Sequence, residues 1–328
     1  MKMNRLLVGL SCVFMMNFAY SQNTVRFSQY NFAKSIYNPA TLATDAHFTA
    51  DLIYRNQWAG VDGAPTTVGF NSAYELNDEM AVGVNFYNDR IGLNQTNSFA
   101  VNYAYRLVFD ERKYLAFGLG LGADNVAWNY ASAQTIQVQD PAFAQSYSSF
   151  KFNGSFGIYY RTKKAYIGAS IPQLMQNSLV GKEKGFRPPL WHYLAIAGYY
   201  FEINDRFIFN PSLQAKVVKN APVQLDVVLR GITNNLGFSL GYRSENSLIA
   251  GFDYIFAERI RLGYSFNFDV GQLSRTKGMS NEIYLGIGLP YYFNKDTFNS
   301  RRYMGRKNKF SRNYTRRYHR GSRNRSEE

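Results

Sequence analysis

The 328-residue chain carries a formal net charge of +14 and is rich in aromatic residues and glycine, with 26 Tyr, 26 Phe and 26 Gly. This composition is typical of twisted strands and tight turns, and helix formers never gather into a long run with a 3.6-residue period. The single cysteine, Cys12, lies in the first apolar run. A mature chain without that run has no disulfide, thiolate metal ligand or thiol nucleophile.

Residues 1–21 have the pattern of a secretory signal peptide. Two basic residues precede an apolar run from Leu6 to Phe18, and a short segment ending at Ser21 follows. The run is shorter than the roughly 20 apolar residues of a membrane-spanning helix, so an N-terminal anchor is the less favoured alternative. The sequence therefore predicts cleavage after Ser21 and export of the mature chain.

Strict alternation of side chains is the main evidence for secondary structure. In residues 259–270 and 282–293, apolar side chains occupy every second position, and mostly small or polar side chains lie between them. A strand of this kind has one apolar face, and about 9–11 residues are enough to cross a membrane at the usual tilt. Fourteen strands are predicted, an even number as in single-chain bacterial barrels. They are residues 46–58, 65–76, 79–88, 95–108, 111–127, 150–161, 163–170, 190–203, 206–219, 222–233, 235–243, 246–257, 259–270 and 281–293.

The predicted connections alternate between short and long. The two longest, residues 128–149 and 171–189, fall on the same side of the predicted barrel. Even-stranded barrels have short periplasmic turns and longer outer loops, with both termini in the periplasm. The predicted fold is therefore an all-β transmembrane antiparallel barrel. The tight turns expected on the periplasmic side are Asn77-Asp78, Phe109-Asp110, Thr162-Lys163, Asn204-Asp205, Asn234 and Ala257-Glu258.

The chain divides into four predicted regions. Residues 1–21 form the signal peptide and residues 46–294 the barrel. Between them, residues 22–45 are polar and aromatic with a proline turn, and they are expected either to plug the lumen or to line its periplasmic mouth. Residues 295–328 are predicted to be a basic periplasmic tail.

The tail differs in composition from everything before it. From residue 301 onward, eleven Lys or Arg and two Glu leave a net charge of +9. Because like charges repel and few apolar residues are available for burial, the tail is expected to be disordered. Behind a signal peptide, an acidic periplasmic protein, a cell-wall polymer or an anionic lipid is favoured over nucleic acid as its partner. A solvated tail without a partner is the alternative. The candidate contact residues are Arg301, Arg302, Arg306, Lys307, Lys309, Arg312, Arg316, Arg317 and Arg320.

No pattern of catalytic or metal-binding residues is found. The three histidines have no ligand spacing, and neither a nucleophile elbow nor a P-loop occurs. His192 is the candidate base for a hydrolase at the barrel rim, but a place beside Trp191 in the interfacial aromatic belt is favoured. Gly118, Gly120 and Gly122 alternate with leucines and are predicted to be the small-residue face of a strand. The sequence thus predicts no enzyme activity, metal or cofactor.

Six short motifs, taken together and in order, are distinctive. They are Phe27-Ser28-Gln29-Tyr30, Tyr37-Asn38-Pro39-Ala40, Tyr54-Arg55-Asn56-Gln57-Trp58, Gly63-Ala64-Pro65-Thr66, Asp140-Pro141-Ala142-Phe143 and Ile167-Gly168-Ala169-Ser170-Ile171-Pro172. With these motifs the chain resembles the PorP/SprF-like outer-membrane proteins of the type IX secretion and gliding machinery, over about residues 27–293. The resemblance implies a barrel that binds the C-terminal sorting domain of secreted adhesins, supports their export, retains them at the surface and contacts other secretion components. It implies no catalytic residue, and the basic tail departs from it.

Position in the predicted barrel suggests roles for two of the motifs. The first outer rim and loop, where an exported domain could dock, contain the cargo-binding candidates Arg55, Trp58, Asp62 and Pro65. Arg and Trp are typical anchors of protein contacts. An equally favoured alternative is that Trp58 is an aromatic residue of the rim and Arg55 is part of a network in the lumen. Tyr37, Asn38 and Pro39 are predicted to fix a turn where the chain enters the barrel.

Three classes of function remain open. The leading prediction is a cargo-binding secretion and anchoring barrel without enzymatic activity. A passive porin or solute channel is the first alternative, since about fourteen strands suit a mid-sized barrel with an open or plugged lumen. A hydrolase with a site at the rim is the least favoured. Ion conductance would indicate the porin, and loss of an activity in His192→Ala would indicate the hydrolase.

Overall fold

A computed structural model describes most of the chain between residues 25 and 289. The described ranges are 25–43, 47–110, 113–130, 146–174, 177–178, 185–186, 191–219, 221–244, 246–257, 259–270 and 279–289. The predicted signal peptide, the basic tail and the Asp140-Pro141-Ala142-Phe143 motif lie outside these ranges. Among the described residues, no helix is long and apolar enough to cross a membrane.

Within the described ranges, two short 3-10 helices, Lys34–Ile36 and Pro39–Thr41, precede seventeen strands. The strands are β1 (Phe48–Asn56), β2 (Thr66–Glu75), β3 (Met80–Ile91), β4 (Asn94–Asp110), β5 (Lys113–Trp128), β6 (Tyr147–Arg161), β7 (Ala165–Ile171), β8 (Asn177–Ser178), β9 (Gly185–Phe186), β10 (His192–Tyr199), β11 (Phe201–Asn204), β12 (Phe207–Val218), β13 (Gln224–Thr233), β14 (Leu236–Arg243), β15 (Ser247–Phe256), β16 (Ile260–Asp269) and β17 (Ser280–Leu289).

These strands form a closed antiparallel barrel of fourteen. The first strand, β1, pairs with both β2 and β17, so the barrel has no free edge. Strands β10 and β11 both pair with β12 and count as one interrupted strand. Strands β8 and β9 form a small hairpin beside β6, beyond the ring. The predicted all-β, fourteen-stranded barrel is confirmed.

The predicted strand 190–203 is interrupted at Tyr200. The Tyr200 side chain is buried, its ring centroid lies 5.9 Å from that of Tyr166, and its backbone N–H donates to the carbonyl of Lys164 at 2.7 Å. The register with β12 then shifts between Glu202 and Asn204. This bulge is a local irregularity that alternation alone does not reveal.

The barrel has an apolar outer surface and a polar interior. On β13, the outward-facing Leu225, Val227 and Leu229 are exposed, whereas Asp226 and Arg230 on the opposite face are buried. The same pattern, with apolar side chains outside and polar side chains inside, recurs around the barrel. A soluble sheet has the opposite pattern, because it buries its apolar face. An outer surface of this kind is suited to lipid, and a polar interior is typical of membrane barrels.

The two ends of the barrel differ in their connections. At one end, called here the turn end, strands are joined by short turns such as those around Asp78 and Asn234. The opposite end, called the loop end, carries the long connections that follow β5 and β7. At the loop end, residues 57–65 form a compact loop, and the N–H of Gly92 donates to the carbonyl of Gly63 at 2.9 Å.

Residues 25–43, called here the lumenal segment, run through the barrel interior. At the turn end, Arg106 Nη2 donates to the carbonyls of Leu42 and Ala43 at 2.7 and 2.8 Å. At the loop end, Arg26 Nη2 pairs with Asp226 at 2.9 Å. Because β17 finishes at the turn end, the described chain begins and ends at opposite ends of the barrel. The prediction that both termini lie in the periplasm concerns residues outside the described ranges.

Candidate functional site: the lumenal segment and the loop end

The Phe-Ser-Gln-Tyr motif fastens the upper part of the lumenal segment to the barrel wall. The two carboxylate oxygens of Glu282 accept the backbone N–H groups of Ser28 and Gln29, each at 2.8 Å. The Tyr30 hydroxyl lies 3.0 Å from Ser212 Oγ on the far side of the lumen. Because its two oxygens accept from adjacent backbone N–H groups, Glu282 fastens two positions of the motif to β17.

The Tyr-Asn-Pro-Ala motif holds the middle of the segment. Asn38 Oδ1 accepts the N–H of Ala40 at 2.9 Å and so caps the second 3-10 helix. Asn38 Nδ2 donates to the carbonyls of Ile158 and Ala169 at 3.1 and 3.3 Å. The Asn38 side chain is therefore hydrogen-bonded both within the lumenal segment and to the barrel strands β6 and β7.

Tyr37 joins three of the quoted motifs. Its hydroxyl accepts the backbone N–H of Phe27 at 2.6 Å, and its carbonyl accepts a hydrogen bond from Ser170 Oγ at 2.8 Å. Phe-Ser-Gln-Tyr, Tyr-Asn-Pro-Ala and the β7 motif that contains Ser170 therefore meet inside the lumen.

Glycines on β5, β6 and β7 make room for this packing. A Cβ atom on Gly118 would lie 2.1 Å from the backbone nitrogen of Ala40, and one on Gly157 would lie 1.9 Å from Asn38 Oδ1. Both distances are well inside van der Waals contact. The small-residue face predicted on β5 is thus the wall against which the lumenal segment lies.

Charged side chains form a buried network in the loop half of the lumen. Asp226 accepts hydrogen bonds from Arg243 on β14, with a shortest distance of 2.8 Å, and from Arg26. Arg55 is 4% exposed and lies opposite Glu282 in the β1–β17 register. The sequence left two equal alternatives for Arg55, a contact at the outer rim or a place in a network within the lumen. Its observed position corresponds to the second.

The other cargo-binding candidates lie together in the compact loop at the loop end. The N–H of Gln57 donates to the carbonyl of Pro65 at 2.9 Å, and the buried Pro65 closes the base of the loop. Trp58 is half-buried with a positive φ of 49°, and its N–H donates to Ser280 Oγ at 3.3 Å. Asp62 is exposed at the tip. The structure therefore brings Trp58, Asp62 and Pro65 together and places Arg55 below them.

His192 does not lie in the aromatic belt. Trp191 and Tyr193 are exposed on the outer surface, but the His192 side chain is buried on the lumenal face between them. The belt prediction is wrong for His192, because neighbouring residues of a strand point to opposite faces.

Within the described ranges, no group of three or more His, Cys, Asp or Glu side chains is arranged to hold a metal ion.

The lumenal segment lies between two cavities. The loop-side cavity encloses about 1010 Å³, its open mouth included, and is bounded below by Ser35, Ile36 and Pro39. The turn-side cavity encloses about 640 Å³ and is lined on one side by Asp51 and Arg261. The lumenal segment therefore lies between a loop-side chamber and a turn-side chamber of the described lumen.

Several residues of this site were missed by sequence reasoning. Glu282, Asp226 and Arg106 each hold the lumenal segment, yet none belongs to a quoted motif. Each is a charged residue on the polar face of a predicted strand. That position in the sequence pattern could have indicated them, because a charged side chain that faces a barrel interior needs a partner there.

A closed, even-stranded barrel with an apolar outer surface and a filled, polar lumen is an outer-membrane β-barrel protein. The family of type IX secretion system membrane proteins PorP/SprF matches residues 19–287. The chain belongs to this family, as the resemblance predicted, and is an outer-membrane component of type IX secretion.

Three solved structures of outer-membrane proteins resemble the barrel at low sequence identity. The toluene transporter TbuX of Ralstonia pickettii is 10% identical with a TM-score of 0.47, over 77% of this chain and 93% of that one. The CymD monoaromatic hydrocarbon channel is 15% identical with a TM-score of 0.45, over 78% and 91%. The outer membrane phospholipase A of Escherichia coli is 11% identical with a TM-score of 0.37, over 76% and 98%. No curated protein matches the sequence.

Proposed function

We propose that this protein is a non-enzymatic receptor in the outer membrane that binds the C-terminal sorting domain of an exported adhesin and retains the adhesin at the cell surface. In this role the barrel is a platform, with the lumenal segment as its fixed interior and the loop end as its docking face. Family membership supports the secretion role.

The proposal includes an orientation. The loop end faces outward and the turn end faces the periplasm, as in other single-chain barrels with long outer loops. The chain leaves β17 at Leu289 on the turn end, so the basic residues from 301 onward begin on the periplasmic side. There they are available to an acidic periplasmic protein or to cell-wall polymer, and to the other secretion components.

The observation that carries the proposal is the occupied lumen. Residues 26, 28, 29, 30, 38 and 42 are hydrogen-bonded to side chains or carbonyls of six different strands. A passive channel needs a continuous path, and a segment held at so many points obstructs one. The lumen therefore supports a binding role over transport of small solutes.

The experiment is a pull-down in mild detergent of the tagged protein from its native outer membrane, followed by mass spectrometry. The wild type should retain a large secreted protein through its C-terminal domain. Trp58→Ala, at the compact outer loop, should retain less of it. Tyr54→Ala is the matched control, because Tyr54 lies on β1 just before this loop but is exposed on the outer surface.

Recovery of the barrel without any exported protein, together with ion conductance in a planar bilayer, would overturn the proposal in favour of a channel. A hydrolytic activity lost in His192→Ala would overturn the non-enzymatic part. Equal recovery by both variants would exclude the compact outer loop as the docking point.

A further inference from the structure

The loop-side cavity has the features of a binding site. Its walls come from β3 to β6 on one side and from β12 and β13 on the other, and its floor is the lumenal segment. Asn102 on β4 is 3% exposed and Gln214 on β12 is 5% exposed, and both side chains line it. Amide side chains from widely separated strands thus converge on one space.

Four polar atoms on the cavity wall have no hydrogen-bond partner among the described residues. Asn102 Nδ2 and Gln214 Nε2 are donors, and Asn85 Oδ1 and Asn153 Oδ1 are acceptors. The acceptors are fixed in place, because Nδ2 of Asn85 donates to Ser35 and Nδ2 of Asn153 donates to Pro172. Buried polar groups are normally paired, so this set indicates a ligand that offers both donors and acceptors.

The cavity is closed on its turn side by the lumenal segment. Its floor is held by the Asn85 hydrogen bond to Ser35 at 2.9 Å and by the contacts of Tyr37 and Asn38 with β6 and β7. An occupant must therefore enter and leave by the loop end. A cavity closed at its base accepts the end of a chain more readily than a segment that continues in both directions.

The chemistry of the walls matches a polypeptide end. A peptide backbone offers one donor and one acceptor at each residue, as the four unpartnered amide atoms require. Among the described lining residues, the charged ones are Arg26, Lys216 and Asp226. Asp226 is ion-paired with both Arg26 and Arg243, so this wall keeps an excess of positive charge. Such a wall favours an anionic end, which in a polypeptide is the C-terminal carboxylate.

We infer that the loop-side cavity binds the extended C-terminal end of the exported protein, with Asn102, Gln214, Asn85 and Asn153 bonding to its backbone. This inference rests on the proposed function and specifies the part of the cargo that is recognised. It also assigns the cavity, rather than the outer loops alone, as the specificity-determining site.

The test is photo-crosslinking in the native membrane. A benzophenone amino acid replaces Gln173, which lines the cavity two residues after the end of β7, in the full-length protein. The control probe replaces Phe152, exposed on the outer face of β6. Each is made with the wild-type cavity and with Asn102→Leu plus Gln214→Leu, which keeps side-chain size but removes the amides. A further control, Val101→Leu plus Leu213→Ile, changes the lipid-facing neighbours.

The probe at Gln173 should crosslink to a peptide that carries the natural C-terminus of an exported protein. The amide-free cavity should lower the yield about tenfold, equivalent to about 1.4 kcal/mol, and the lipid-facing changes should leave it unaltered. Co-purification of the exported protein with crosslinks only to other parts of it, or with a yield indifferent to the amides, would overturn the inference and leave the proposed function standing. Absence of any exported protein in both assays would overturn both.

Discussion

The turn half and the loop half of the lumen are built differently. In the turn half, Tyr114, Tyr159, Tyr166 and Tyr200 pack around Ala40, with successive ring centroids 5.9 to 6.4 Å apart. In the loop half, amides and ion pairs surround a cavity. The same alternation of residues builds both halves. Large aromatic rings occupy much of the turn half, which keeps the smaller of the two cavities, whereas short polar side chains leave the larger cavity in the loop half. We infer that the turn half closes the barrel and the loop half binds.

The largest expected contrast is in the labelling of single cysteines on intact cells. The only native cysteine, Cys12, is in the predicted signal peptide, so the background is low. A membrane-impermeant maleimide should label Asp62→Cys at the loop end and Val25→Cys in the loop-side cavity, but not Asp78→Cys in an exposed turn at the turn end. Labelling of Asp78→Cys alone would reverse the proposed orientation.

A side chain on the glycine wall should expel the lumenal segment. Gly157→Leu places atoms where Asn38 now lies, and overpacking of this kind costs about 3 kcal/mol. We expect a lower Tm of the purified barrel and protease cleavage within residues 25–43. The matched control is Ile158→Leu on the outer face of the same strand. Unchanged Tm and protection in Gly157→Leu would show that the segment is not held against β6.

Loss of the anchor at the turn end should have a smaller effect. Arg106→Ala removes two charge-assisted hydrogen bonds to the carbonyls of Leu42 and Ala43, which should cost about 2 kcal/mol. Hydrogen exchange at residues 41–43 should quicken while exchange at residues 28–30 stays slow. Arg206→Ala, at an exposed turn, serves as the control. Equal exchange at both places would contradict separate anchoring of the two halves.

The barrel could be predicted from sequence because successive residues of a strand point to opposite faces, so apolar and polar residues alternate along the chain. Alternation identified the fourteen strands, and small lumenal residues such as Gly118 were assigned to one face correctly. Which side chains pair across the lumen could not be predicted. Ser28 and Glu282, for example, are 254 residues apart, and Arg55 could be placed in the lumen only once β17 was known to lie beside β1.

The smallest effect is expected at the compact outer loop. Trp58 is only half-buried and its backbone, not its ring, makes the bond to Ser280. Trp58→Ala should leave Tm nearly unchanged and weaken retention of the exported protein by about 1 kcal/mol, the lower limit for a contact that matters. Measurement of both quantities on one preparation separates binding from stability. A fall in Tm without loss of retention would assign Trp58 a structural role.

Ion conductance in planar bilayers tests the central claim, a barrel closed by its own lumenal segment, most directly. The intact protein should give no stable conductance, and a variant that lacks residues 25–43 should conduct, provided that its unboiled form still migrates as a folded barrel on gels. The tyrosine cluster would then form only a partial constriction. Conductance of the intact protein equal to that of the deletion variant would contradict the claim and favour a channel.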